Sequence, residues 1–184
     1  MENEDKILEL IKNDNYRMDA LRAVKSLNLP DWIIGAGFVR NPVWDYLHEY
    51  KEQTPLTDID VAYFDLNNLN EEVEKEYENK LKEIINAEWS VTNQARMSKI
   101  NNQSKNYIST EDAISHWPET ATAIGVKLDN NNKLELIAPH GINDLLNLNL
   151  RMTPGFGDGC ESFLKRVEKK QWLIKWPKLK VIGR

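Results

Sequence analysis

The sequence predicts a mixed α/β (α+β) protein, with a central mixed sheet flanked by helices, an added β-hairpin and a C-terminal helix. Three observations predict it. Trp32-Ile33-Ile34 is a short apolar run that enters the Gly35-Ala36-Gly37 turn, as a buried strand does. Asp58 to Asp65 alternates, with Asp58, Asp60 and Ala62 on one face and Ile59, Val61 and Tyr63 on the other. Thr120 to Leu128 and Lys133 to Ile137 flank Asp129-Asn130-Asn131-Asn132, a turn between two strands of a hairpin.

The elements follow in order. Ile7, Leu8 and Ile11 form an amphipathic stripe, and Asn15 is read as the cap of a second helix with the stripe Met18, Leu21 and Val24. Arg17 and Arg22 fall off that stripe and read as solvated or ion-paired. Asn41 as N-cap and Pro42 at the first helical position start the next helix, whose core face is Val43, Tyr46, Leu47 and Tyr50. Asn70 to Asn86 is a helix with Val73, Tyr77, Leu81, Ile84 and Ile85 inward and a solvated face of Glu71, Glu72, Glu74, Glu76 and Glu78. Trp89 to Gln94 is the third core strand. The polar stretch from Ser98 to Ser109 reads as a long mobile loop, either a cover over substrate or simple disorder. Ser109 with Asp112 caps a brief helix ending near Trp117-Pro118. Asn143 to Leu148 is a short helix, and a C-terminal helix begins near Asp158 with Phe163, Val167 and Gln171 on its face.

Composition narrows the function. The 184 residues weigh 21.4 kDa and are 41% hydrophobic. That size suits a single domain, 1–184, with a core over about 30–97 and an extension over about 98–184. Net charge is −5 and pI about 5.3, which disfavours long DNA as a partner, because phosphate neutralisation needs clustered Lys and Arg. One cysteine, Cys160, allows no internal disulfide and fits a reducing cytoplasm. The first residues lack the apolar run of a signal peptide, and no stretch is apolar enough for a membrane span.

The chemistry concentrates between Trp32 and Asp65. A Gly-rich turn opening a helix offers backbone N–H groups and a positive dipole end to phosphate. Asp58 and Asp60, adjacent on one strand face, ionise together cheaply only with a cation between them. Mg²⁺, or Mn²⁺, is the hard ion that carboxylate and phosphate oxygens suit. Phosphate cradle and metal clamp together describe nucleotidyl transfer.

These same residues resemble the nucleotidyltransferase superfamily with the DNA polymerase β catalytic fold, and more closely a bacterial family of small nucleotidyltransferase-like proteins. The blocks MDALRAVKSLNLPDWIIGAGFVRNPVWDYLH, TDIDVAYFD, WSVTNQARMS, WPETATAIGVKL and FLKRVEKKQWLIKWPKL carry the resemblance over nearly the whole chain. It implies the polymerase β-type fold, and a Mg²⁺-dependent transfer of NMP from an NTP to a hydroxyl of a small molecule, protein or RNA end. The alternative is a non-catalytic nucleotide-binding or regulatory module on the same fold. Two departures bear on this. The turn lacks a hydroxyl side chain, so Gly35-Ala36 or Gly37-Phe38 must serve. The third strand, where the superfamily carries a third carboxylate, has none between Trp89 and Gln94.

Asp58 and Asp60 are accordingly the expected catalytic metal ligands, with Glu119 or Asn93 as candidates to complete the set; Glu88 and Glu135 lie further out. Gly35, Ala36, Gly37, Arg40 and Arg96 are the phosphate-binding candidates. Arg40 reads equally as a salt-bridge partner of Asp45, and Arg96 as a structural ion pair. Asp65, at the strand end, reads as a cap. His48, His116 and His140 have no metal-ligand spacing. Trp44, Trp89 or Trp117 could stack on a base. The tail from Lys165 to Arg184 carries eight Lys or Arg residues and reads as a solvated face or a site for an acidic partner.

Overall fold

The computed structural model describes residues 2–101, 103–156 and 159–183. Helices α1 (Glu2–Lys12) and α2 (Asn15–Ser26) precede strand β1 (Ile33–Gly35), helix α3 (Gly37–Leu47) and strand β2 (Ile59–Tyr63). Helix α4 (Glu71–Ile84) leads to β3 (Trp89–Asn93), a 3-10 turn over Gln94–Arg96, and the short helices α5 (Met97–Ile100) and α6 (Thr110–Ile114). The second half adds β4 (Gly125–Leu128), β5 (Leu134–Ile137), α7 (Asn143–Leu146), β6 (Asn149–Arg151), α8 (Gly159–Lys169), α9 (Trp172–Lys175) and β7 (Lys180–Ile182). Five strands form one mixed sheet in the order β3-β2-β1-β4-β5; β6 and β7 pair separately. Only β2 and β3 in the larger sheet run parallel, and α4 is the crossover that parallel neighbours require. The expected hairpin is β4–β5, antiparallel from Gly125↔Ile137 to Leu128↔Leu134.

Strand period sorts the two faces. Ile59, Val61 and Tyr63 enter the main core with Ile34, Val91 and Val126, while Ile33 and Ala62 join a small cluster with Ile114 on the opposite face. Asp60 shares that second face, which is thinly covered. Six core side chains come from α1 and α2 (Ile7, Ile11, Ala20, Leu21, Ala23 and Val24), so the N-terminal helices pack behind the strands as expected.

Helix α3 departs from expectation. It starts at Gly37, after Ala36, so Asn41 is no N-cap and Pro42 lies inside the helix. Every residue from Phe38 to Asp45 is buried, whereas Tyr46 and Tyr50, read as core, are exposed. Proline removes the N–H that would bond the carbonyl four residues back, here Phe38. Arg17 supplies the missing donor: its Nε bonds the Phe38 carbonyl at 3.0 Å, and its guanidinium lies over the Phe38 ring and pairs with Asp14. Arg17 is therefore buried, off the apolar stripe but inside the core. Asp14, not Asn15, caps α2, accepting from the Arg17 N–H.

The acidic helix also differs. Asn70 caps α4, accepting from the Glu72 N–H, but Glu74, read as solvated, is buried and Ile84, read as inward, is exposed. Strand β3 is the sheet edge, so its outward N–H groups need acceptors. Glu78 accepts from the Val91 N–H at 3.0 Å and Glu74 from the Asn93 N–H at 2.7 Å. In the stretch expected to be a mobile loop, α5, a buried Ser98 and a buried Tyr107 are ordered structure. Ser109 caps α6 as read, bonding the Asp112 N–H. Gln171 sits in a left-handed turn before α9, not on the face of α8, and the expected start at Asp158 lies outside the described residues.

The Arg17 bond gives a double-mutant test. Arg17→Leu is expected to cost about 2–4 kcal/mol, since it strands the buried Phe38 carbonyl and the Asp14 carboxylate. Pro42→Ala, which restores the helical donor, is expected to recover about 1 kcal/mol or more of that loss in the Arg17→Leu background while changing the wild type less. Denaturant unfolding of the four proteins measures the coupling, and strict additivity would disprove it.

Candidate active site

The β1–α3 turn forms one side of the candidate site. Ala36 adopts φ 53° and ψ −122°, a conformation that favours glycine. Its N–H bonds the Ile124 carbonyl on the β4 side, and its carbonyl accepts from Val39 and Arg40. The N–H groups of Gly37 and Phe38, at the positive end of α3, have no backbone acceptor among the described residues.

Asp58 is exposed and accepts from the Thr57 hydroxyl at 2.7 Å. Asp60 is half-buried, and its carboxylate has no hydrogen bond or ion pair among the described residues. Burial, and then the neighbouring Asp58 charge, push its pKa from 3.8 up to about 6; Arg40, Lys170 and Arg166 act in the other direction. Two hard-oxygen groups on one strand side suit a Mg²⁺ or Mn²⁺ ion, which takes one or two protein carboxylates and fills its remaining positions with phosphate and water. In the β2–β3 register Asp60 faces Ser90 and Ala62 faces Thr92, so no carboxylate stands beside the pair on the third strand. Among the described residues no cluster of three or more His, Cys, Asp or Glu side chains could hold a metal.

The opposite wall comes from the far end of the chain. A groove running from Ala36, Gly37 and Asp58 to Lys170, Lys175 and Trp176 is lined on both sides, with Arg40 beneath it. Arg40 is buried, its guanidinium 5.0 Å from the Trp44 ring and 4.6 Å from the Trp172 ring. It donates to Thr122 Oγ1 (2.9 Å) and Asn41 Oδ1 (3.0 Å), not to Asp45. Burial lowers its pKa to about 10, which leaves it charged at neutral pH. Asp45 instead accepts from Thr54 and from the Trp176 indole at 2.7 Å, tying α3 to α9.

The remaining candidates divide. Glu119 is fully buried; Oε1 accepts from Arg166 Nε at 2.7 Å and Oε2 has no partner among the described residues. Its carboxylate thus orients Arg166. Asn93 spends both amide atoms locally: Nδ2 donates to the carbonyls of Asp65 and Asn68, and Oδ1 accepts from the N–H groups of Asp65 and Ala95. That side chain shapes the loop after β2. Arg96 donates to both oxygens of Glu74 (2.9 and 2.6 Å), the ion-pair alternative, and lines neither the groove nor its neighbouring cavity. Asp65 accepts from the Asn67 N–H, a turn cap as read. His48 and His140 bond backbone groups. Trp44 and Trp89 are buried, which leaves Trp117 facing open space.

Arg166, Lys170 and Lys175 were legible only as part of a basic tail. The signal in the sequence was Trp172 and Trp176 spaced among them, since aromatic residues that must be buried draw their cationic neighbours onto the protein surface they cover.

A family model described as nucleotidyltransferase matches residues 22–181. No curated protein matches the chain. Among solved structures, an NMR structure described as a CCA-adding enzyme head domain superposes with TM-score 0.85 and 33% identity, over 98% of this chain and 96% of that one. A CCA-adding enzyme in complex with CTP matches with TM-score 0.54 and 17% identity, over 97% of this chain and 43% of the other. An apo form of a CCA-adding enzyme gives 0.52 and 15%, over 90% and 38%. The last two share the fold.

Asp60 yields a pH prediction. A carboxyl whose folded-state pKa is raised binds its proton more tightly folded than unfolded, so stability falls as pH rises from about 4 through 6. Asp60→Asn, which cannot ionise, is expected to be more stable than wild type by about 3 kcal/mol in metal-free buffer at pH 8, with the gain vanishing below pH 4. Thermal melts of both proteins across that range measure it; a pH-independent difference would show that the charge is not the cause.

Proposed function

Because the chain belongs to this nucleotidyltransferase family, we propose that it transfers NMP from an NTP to a hydroxyl acceptor with release of pyrophosphate. The observation that carries this reading is Asp60, a half-buried carboxylate with no partner among the described residues, beside Asp58 and facing Arg40, Arg166 and Lys170. Asp58 and Asp60 would hold Mg²⁺ or Mn²⁺, which when bound supplies neutralisation of phosphate oxygens and activation of the attacking hydroxyl. The chain's own groups do the rest. The Gly37 and Phe38 N–H groups and the exposed Lys170 and Lys175 receive the triphosphate, and Arg40, fixed between two indoles, provides an unmoving positive charge behind it. Arg166, oriented by Glu119, reaches the border of the groove. The acceptor oxygen attacks the α-phosphorus in line, and the bond to the β-phosphate breaks.

The acceptor class is a hydroxyl of a small molecule, protein or RNA end. Net charge −5 disfavours long DNA. Among the described residues no helix is long and apolar enough to cross a membrane, and a cytoplasmic location fits the single cysteine. The chain as a whole, 1–184, acts as one unit in this reading, since the two walls of the groove come from its two halves.

A specific observation favours a second reading. Ser90 and Thr92 stand where a third carboxylate would complete the metal site, and this supports a nucleotide-binding module without turnover. Calorimetric titration of each NTP with and without Mg²⁺ tests the site: the wild type is expected to bind at least tenfold tighter with the metal, and Asp58→Asn/Asp60→Asn to lose that gain. Equal binding by the double variant would refute it. Metal-dependent pyrophosphate release in an acceptor screen separates transfer from mere binding.

A further inference from the structure

Beyond the groove, and meeting it at Ala36, Asp60 and Arg166, lies a cavity of about 460 Å³. Its character is different. Apart from Asp60 and Arg166 at the shared margin, no Asp, Glu, Lys or Arg among the described residues lines it; the walls are amides, the hydroxyls of Thr92 and Thr122, aromatic rings with His116 among them, and apolar chains.

Two amides carry the argument. Gln94 is 5% exposed and its Nε2 lies 3.4 Å from the Thr92 carbonyl, a long contact. Gln103 directs its Nε2 to the Gly155 carbonyl at 3.2 Å. Flipping either amide would set oxygen against carbonyl oxygen, so both nitrogens stay where they are. Each Oε1 is left without a donor among the described residues, in a cavity that both side chains line. Both oxygens open onto the cavity, where the N–H groups of a ligand can reach them. The cavity also offers a flat surface. Trp117 packs against β1 so closely that a Cβ on Gly35 would lie 2.9 Å from its ring, and Phe156 joins it in the lining.

We propose that this cavity is a nucleobase subsite selective for bases with an exocyclic amino group. The inference rests on the nucleotidyl-transfer reading of the groove. A base stacked on Trp117 meets two fixed acceptors. Adenine, cytosine and guanine each present an amino group to them. Uracil has a single ring N–H between two carbonyls, which would face amide oxygens and be repelled. The base could belong to the incoming NTP or to a nucleoside at the acceptor end. The chemistry is the same; among the described residues Arg166 is the one Lys or Arg at the cavity and stands at the margin shared with the groove, which suits the interior to the base and sugar, with phosphates held in the groove.

The test is calorimetric binding of ATP, CTP, GTP, UTP and inorganic triphosphate with Mg²⁺ to wild type, Gln94→Leu and Gln103→Leu. Wild type is expected to bind the amino-bearing nucleotides about tenfold or more tightly than UTP. Either variant should bring the four to within about threefold of one another while binding triphosphate as wild type does. Gln103, less buried, gives the answer if Gln94→Leu does not fold. Should the NTPs bind alike, adenosine, cytidine and uridine are titrated onto the NTP-bound protein: a tenfold preference for the amino-bearing nucleosides assigns the subsite to the acceptor. No preference in either arm, with triphosphate still bound, overturns the subsite and leaves the groove standing. Failure of triphosphate and every NTP to bind removes the groove, and the subsite with it.

Discussion

Helix α3 is buried on every side over its first two turns, and much else in the structure follows from that constraint. A helix in such a place takes its polar partners from the surrounding chain. Five residues supply them, leaving the Arg40 Nε and Trp44 Nε1 donors without a partner among the described residues. Arg17 of α2 fills the gap that Pro42 leaves at the Phe38 carbonyl. Thr122, before β4, accepts from Arg40. Thr54 and the Trp176 indole donate to Asp45. Lys178, just past α9, donates its N–H to His48 at the helix end. These partners lie as far apart in sequence as Arg17 and Lys178, so fixing one helix draws together segments from both ends of the chain.

The site inherits this arrangement. One wall, Ala36 to Asp60, is local in sequence; the other, Arg166 to Trp176, arrives only because Trp172 and Trp176 pack edge-on against Trp44 at 5.9 and 5.0 Å. The cations facing the aspartates are thus placed by apolar packing rather than by attraction to them. Glu119 plays a similar part: as a buried anion between Arg40 and Arg166, it moderates the repulsion between two arginines that share the Trp172 ring.

Much of this was legible in the sequence where a pattern has a single physical meaning. The alternation in Asp58–Tyr63 fixed both the strand and the shared face of its carboxylates, and the Ser109 cap and the β4–β5 turn needed no distant partner. The family resemblance carried the fold. What misled were residues whose meaning depends on tertiary context. Asn41-Pro42 has the chemistry of a helix start, yet the helix begins five residues earlier because Arg17 relieves the proline. Glu74 has the composition of a solvated face, yet an edge strand lies against it. Arg96 and Asn93 fall in the block read for substrate contact, and only the fold shows that their side chains bond Glu74 and the loop after β2. No local pattern could reveal Gln94, since an amide with a free oxygen looks like any other until the cavity beside it is seen.

The edge of β3 has a consequence for how this sheet ends. Its outward N–H groups at Val91 and Asn93 are taken by side-chain oxygens from the crossover helix rather than by another backbone. A side-chain carboxylate accepts but cannot offer a donor in return, so it occupies the strand without extending the ladder. The crossover that makes the parallel pair possible also terminates it, and the chain needs no extra strand, proline or bulge on that margin to avoid templating a neighbour.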